Sequence, residues 1–167
     1  MTGSTSQSSF TLHPKKSDDA ADQSSAVTGW GPAVENDGSV FETVGNWATT
    51  FSATRFLKLT FPDHVPSGAS VTAASFKHAY RPRDNGATKC WYFEVYSGAT
   101  LLGTHGSSAA PISCNSSNVT NTVNTVSLPE IDTPAKANGA IVKLYMKSST
   151  GRRSRHDLAR LDVDYSQ

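Results

Sequence analysis

Apolar residues take every second position between Arg55 and Phe61: Leu57, Leu59 and Phe61 share one face of an extended chain, and Lys58 and Thr60 share the other. This alternation predicts a half-buried strand. It stops at Pro62-Asp63-His64-Val65-Pro66-Ser67-Gly68, where proline removes ladder donors and Ser-Gly favours a turn. From Ser70 to Tyr80 the pattern resumes, with Ala74, Phe76, His78 and Tyr80 on one side. Arg81 to Gly86 then reads as a turn, because Asn85-Gly86 readily supplies positive φ. The most β-rich stretch follows, Lys89 to Tyr96, in which Trp91, Phe93 and Val95 alternate with Cys90, Tyr92, Glu94 and Tyr96.

Weaker signals complete the set. Phe10 to His13, Leu101-Leu102 and Thr122 to Leu128 read as short strands. Ala140 to Lys147 and Leu158 to Tyr165 read as a long closing hairpin, with Leu161, Val163 and Tyr165 opposite Asp162 and Asp164. No stretch of twelve residues has helical periodicity, and there is no internal repeat. About eight strands with polar loops predict an all-β fold, a two-sheet, jelly-roll-like β-sandwich. Residues 1 to 9 are expected to be a flexible Ser/Thr-rich segment and 10 to 167 a single domain.

Composition narrows the class. Charged residues are only 17% and the net charge is +1, from 15 basic and 14 acidic side chains, which argues against neutralisation of a nucleic-acid backbone. No apolar run approaches the length that crosses a bilayer, so membrane insertion is not expected. A Ser/Thr-rich, charge-poor, β-branched composition fits a secreted or cell-surface domain. Cys90 and Cys114 would form a disulfide in such a compartment.

Candidate chemistry lies in loops and on one strand face. Trp30 to Gly38, WGPAVENDG, offers Glu35, Asn36 and Asp37 as oxygen ligands, with Asp162 or Asp164 as potential additions. The run lacks the spacing of a calcium loop, so the stretch is expected to be a turn with no bound cofactor. If Trp91, Phe93 and Val95 fill the core, Tyr92, Glu94 and Tyr96 lie together on the opposite face. There the rings would stack on sugars and Glu94 would accept from hydroxyls, with His78 and Tyr80 as an extension. The alternative is that the two tyrosines form ordinary cross-strand pairs. Arg152, Arg153 and Arg155 crowd three guanidinium groups into a short stretch that is expected to be a solvated hairpin tip, with contact to an anionic polymer as the alternative. His13, His64, His78, His105 and His156 have no metal-ligand spacing, and no catalytic motif is present, so no enzyme is expected. Lys58 and Glu94 supply ingredients for an internal lysine amide cross-link.

These elements taken together resemble β-sandwich modules of bacterial extracellular and phage structural proteins. The likeness rests on Trp30 with Asp37-Gly38, on Phe61-Pro62-Asp63-His64-Val65-Pro66-Ser67-Gly68-Ala69-Ser70-Val71, on Trp91-Tyr92-Phe93-Glu94-Val95, and on Leu161-Asp162-Val163-Asp164-Tyr165. It covers residues 27 to 167. The arginine tip and the cysteine pair depart from the pattern. The resemblance implies a jelly roll like that of carbohydrate-binding modules, working as a spacer, adhesive unit or glycan binder. The leading expectation is a non-catalytic adhesive or structural unit joined to neighbouring domains of a larger protein. The alternative is a module that recognises a polysaccharide through its aromatic face.

Overall fold

Trp91, Phe93 and Val95 are all fully enclosed, while Tyr92, Glu94 and Tyr96 between them are half-buried, so period-two alternation holds through the strand that carries them. The computed structural model describes residues 7–12, 41–42 and 46–167. Among these, ten strands form two antiparallel sheets: β1 (Gln7–Leu12), β2 (Phe41–Glu42), β3 (Phe56–Thr60), β4 (Ser70–Pro82), β5 (Lys89–Ser97), β6 (Thr100–His105), β7 (Ser113–Asn115), β8 (Thr122–Ser127), β9 (Ala140–Ser148) and β10 (Ser154–Ser166). A single helical turn, α1 (Pro134–Asn138), precedes β9; Thr133 caps it by accepting from the Lys136 N–H.

The first sheet runs β1-β10-β4-β8, with β2 also on β10; the second runs β3-β9-β5-β6, with β7 also on β5. Setting aside the two shortest strands, β2 and β7, the partners are β1 with β10, β3 with β9, β4 with β8, and β5 with β6. That pairing is one long eight-stranded hairpin rolled into two sheets, the jelly roll expected from the sequence. β1 begins at Gln7 rather than Phe10, its backbone pairing with β10 from Gln7 opposite Ser166. Ladder bonds are made by the backbone, so Ser and Gln can occupy an edge strand without an apolar signal.

β9 and β10 are not a hairpin. β9 pairs with β3 and β5 in the second sheet, and β10 with β1, β2 and β4 in the first, so residues 149–153 carry the chain across the sandwich. Val142, Leu144 and Met146 therefore face Leu161, Val163 and Tyr165 across a common core, which also holds Trp47, Leu57, Leu59, Phe61 and Phe76. Burying each large side chain here contributes roughly 1.5–3 kcal/mol. Alternation alone cannot separate the two arrangements, because each puts the same residues inside.

A bulge in β10 between His156 and Leu158 changes the phase of its pairing with β4. Below it Ala159, Leu161 and Val163 face inward; above it Ser154 and His156 do. Positive-φ glycines turn the chain at Gly86, Gly98 and Gly151, the first as the Asn85-Gly86 pair suggested.

Candidate functional site: the outer face of the second sheet

The ladder registers build this face in ranks. Phe56, Tyr145 and Tyr92 lie abreast on β3, β9 and β5; Lys58, Lys143 and Glu94 form the next rank; Thr60, Ile141 and Tyr96 form the third. Aromatic rings meet along the first rank. Tyr92 stacks on Tyr145 with centroids 4.9 Å apart, Phe56 tilts against Tyr145 at 5.7 Å, and Phe51 meets the Tyr92 ring edge-on at 5.0 Å.

Glu94 ties the ranks together. Its Oε2 accepts from the Tyr96 hydroxyl at 2.7 Å and from the Tyr145 hydroxyl at 2.8 Å. Both donors use one oxygen, which leaves Oε1 to accept from a ligand. Burial and the neighbouring carboxylate raise all three tyrosines above their ordinary range, Tyr96 to about 12, so all are protonated donors at neutral pH. Lys143 Nζ lies 4.3 Å from the Tyr96 ring centroid and 5.3 Å from that of Phe56. Phe56, Lys58, Tyr96, Ala99, Ile141 and Lys143 line an open groove of about 390 Å³ toward the β5–β6 turn.

Tyr92, Glu94 and Tyr96 are thus brought together as the sequence suggested. His78 and Tyr80 are not part of this face: both are fully buried in the first sheet, where Tyr80 donates to the Lys89 carbonyl and the rings stack at 5.2 Å. Their alternation was read correctly, but it points them inward from β4, on the opposite side of the core. Tyr145, Phe56, Lys143 and Phe51 were missed. The spacing of Ile141, Lys143 and Tyr145 shows that they share a face; which strands flank them is set by long-range register.

The arginines separate. Arg152 and Arg153 lie in the 149–153 crossover, whereas Arg155 lies within β10, in register with Arg81 and Glu42. His156, at the end of that run, is inside the core. Cys90 and Cys114 form the expected disulfide, joining β5 to β7 at directly opposed positions. Lys58 and Glu94 stand in the same rank on β3 and β5, with Lys143 of β9 between them. Trp30 to Gly38 lies outside the described residues. Asp162 is neutralised by Lys77 at 3.2 Å and Arg160 at 3.1 Å, and among the described residues no group of three acidic, histidine or cysteine side chains could hold a metal.

No family model matches the chain, and no curated protein matches it in sequence. Among solved structures the chain is similar to a carbohydrate-binding module from Cellvibrio mixtus lichenase 5A in complex with cellotriose. The TM-score is 0.37 and the identity 15%, over 92% of this chain and 95% of that one. The assignment of the fold stands on the sheet order and the buried faces described above. Among the described residues no helix is long and apolar enough to cross a membrane.

Proposed function

We propose that this chain is a non-catalytic, extracellular module that binds a polysaccharide through the outer face of its second sheet. One observation carries the reading: Tyr96, Lys143 and Phe56 border an open groove while Glu94 stands beside it with an oxygen to spare. The combination suits a sugar. Ring faces cover its apolar C–H surface, and the carboxylate and ammonium groups satisfy hydroxyls that would otherwise lose water. A face used only as structural cladding has no need to keep a carboxylate between two tyrosine hydroxyls at the margin of a groove. The Cys90–Cys114 bond supports an oxidising compartment, hence a secreted or surface location.

Adhesion within a larger surface protein is compatible with the same face, since glycan binding is one way for a module to adhere. Titration calorimetry against a panel of soluble neutral polysaccharides tests the reading. Binding by the native chain that is lost in Tyr96→Ala supports it; no heat from any polysaccharide at millimolar sugar refutes it.

A further inference from the structure

The chain entering β8 from β7 carries the same acceptor motif twice. Asn115-Ser116-Ser117 and Asn118-Val119-Thr120 each place a hydroxyl two residues after an asparagine, the pattern of N-linked glycan attachment. The fold separates them. Asn115 closes β7 and is buried, and its amide is fully engaged: Nδ2 donates to the Tyr80 carbonyl at 3.0 Å and to the Thr120 carbonyl at 2.9 Å, while Oδ1 accepts from the Ser117 N–H at 2.8 Å. A sugar on Nδ2 takes the place of one amide hydrogen, so one of those carbonyls loses its donor and a bulky polar group is forced against the core margin. The folded chain cannot carry it there.

Asn118 lies in the loop itself, where it is only partly enclosed. Among the described residues neither its amide nor the Thr120 hydroxyl makes a hydrogen bond. Val119 between them is 73% exposed, and Thr120 is exposed as well. The backbone beneath is held: Ser117 Oγ accepts from the Thr120 N–H at 3.0 Å, and Arg81 Nη1 donates to the Val119 carbonyl at 2.9 Å. The Cys90–Cys114 bond fixes the residue just before Asn115. A group attached to Asn118 therefore meets solvent without breaking a bond, and its first sugar can lie over the bare Val119 side chain.

We propose that Asn118 is an acceptor for an N-linked glycan and that Asn115 is not. In the transfer Asn118 Nδ2 loses a proton and bonds to C1 of a lipid-linked oligosaccharyl diphosphate. The C1–O bond to the diphosphate breaks, and the lipid diphosphate leaves with that electron pair. The modified loop is remote from the sugar groove. Asn115 is in register with Lys89 at the first residue of β5, whereas the groove reaches Gly98 beyond the last, a separation of roughly 30 Å along the strand. The glycan shields the β7–β8 loop and leaves the groove open. Passage through a secretory compartment rests on the extracellular reading above; the choice between the two asparagines does not.

The test is secretion of the chain from a eukaryotic cell, then peptide mass mapping before and after an amidase that removes N-glycans and leaves aspartate. The native chain should carry glycan on Asn118 and none on Asn115. Asn118→Gln and Thr120→Ala should each give a folded protein with no glycan, its near-ultraviolet circular dichroism matching that of the deglycosylated native chain. A native chain unmodified at Asn118, whether secreted or retained, a glycan on Asn115, or glycan persisting on Asn118 in Thr120→Ala overturns the proposal. Calorimetry with polysaccharide is read separately on the glycosylated and deglycosylated chains. Equal binding by both supports the remote placement; binding that appears only after deglycosylation contradicts it. Binding by neither form, with Asn118 modified, would sink the sugar groove and keep the acceptor.

Discussion

His78 Nε2 and His156 Nδ1 meet 2.8 Å apart within the first sheet, on the adjacent strands β4 and β10. His156 Nε2 lies 2.6 Å from Ser154 Oγ, which also accepts from Trp47 Nε1 at 2.7 Å, so a polar chain threads an apolar core. Both imidazoles are fully buried and held neutral. Burial lowers His156 to about 3; burial, then the charge of His156, lowers His78 well below its ordinary value.

The pair should make the fold acid-sensitive. A histidine whose pKa is lower in the folded state leaves the unfolded chain binding more protons. Its contribution is therefore complete above about pH 6.5 and is lost as pH falls toward 3. His156 alone should cost about 1.6 kcal/mol between pH 6.5 and 5, a range above most carboxylate titrations, and His78 adds to the loss in the same direction. Urea unfolding across that range measures the slope, and His156→Gln should make it shallower. Equal slopes in the two proteins would contradict a neutral buried pair.

The disulfide anchors more than a loop. β7 carries Ser113, whose Oγ accepts from Trp91 Nε1 at 2.9 Å, donates to Asn124 Oδ1 at 2.6 Å and lies 3.1 Å from the Tyr80 hydroxyl. Replacing Cys90 and Cys114 with alanine opens a loop with a sequence separation of 24 and should cost about 3 kcal/mol. Amide exchange should show protection falling first in β7. Reductant should lower the native protein's midpoint to that of the double variant and leave the latter unmoved.

The two-residue period made the strand faces legible: Leu57 and Leu59, Phe76, Trp91 and Phe93, and Leu161 and Val163 all point where alternation puts them. What it could not show was anything set between strands. His156 would face outward if alternation ran unbroken from Tyr165 back through Leu161; one extra residue in the bulge turns it inward. The His78–His156 contact joins residues 78 positions apart and has no local signature. Half of the outer-face site was visible in Tyr92, Glu94 and Tyr96, because they share one strand. Tyr145 and Phe56 join it only through register, which a single chain pattern does not encode.

Lys89 gives a second pH signature, opposite in range. Its folded-state pKa is pulled down from 10.5 to about 8, mainly by burial. The stability it withholds is therefore recovered as pH rises from about 8 toward 10.5. Lys89→Met should abolish that gain, so the native protein should rise relative to the variant between pH 8 and 10 in paired urea titrations. The variant also leaves the Arg152 carbonyl and Ser148 hydroxyl without their ammonium partner, at a cost of about 1–3 kcal/mol near neutrality. A constant difference between the two proteins across this range would show that Lys89 is not desolvated.

Tyr96 and Tyr92 share a face but should answer differently to truncation. Tyr96 borders the groove and is bonded through its hydroxyl to Glu94, whereas Tyr92 is wedged between Phe51 and Tyr145 in the aromatic rank. Tyr96→Ala should cost less than about 1 kcal/mol of stability and weaken polysaccharide binding about tenfold. Tyr92→Ala removes two ring contacts and should cost roughly 2 kcal/mol, with binding impaired through displacement of Tyr145. Glu94→Gln keeps an acceptor for the two hydroxyls and should preserve the fold, yet weaken the sugar because an amide oxygen accepts less strongly than a carboxylate. Denaturation and calorimetry on the same three variants check this: if Tyr96→Ala unfolds the protein as readily as Tyr92→Ala, its ring is a structural strut and the groove loses its platform.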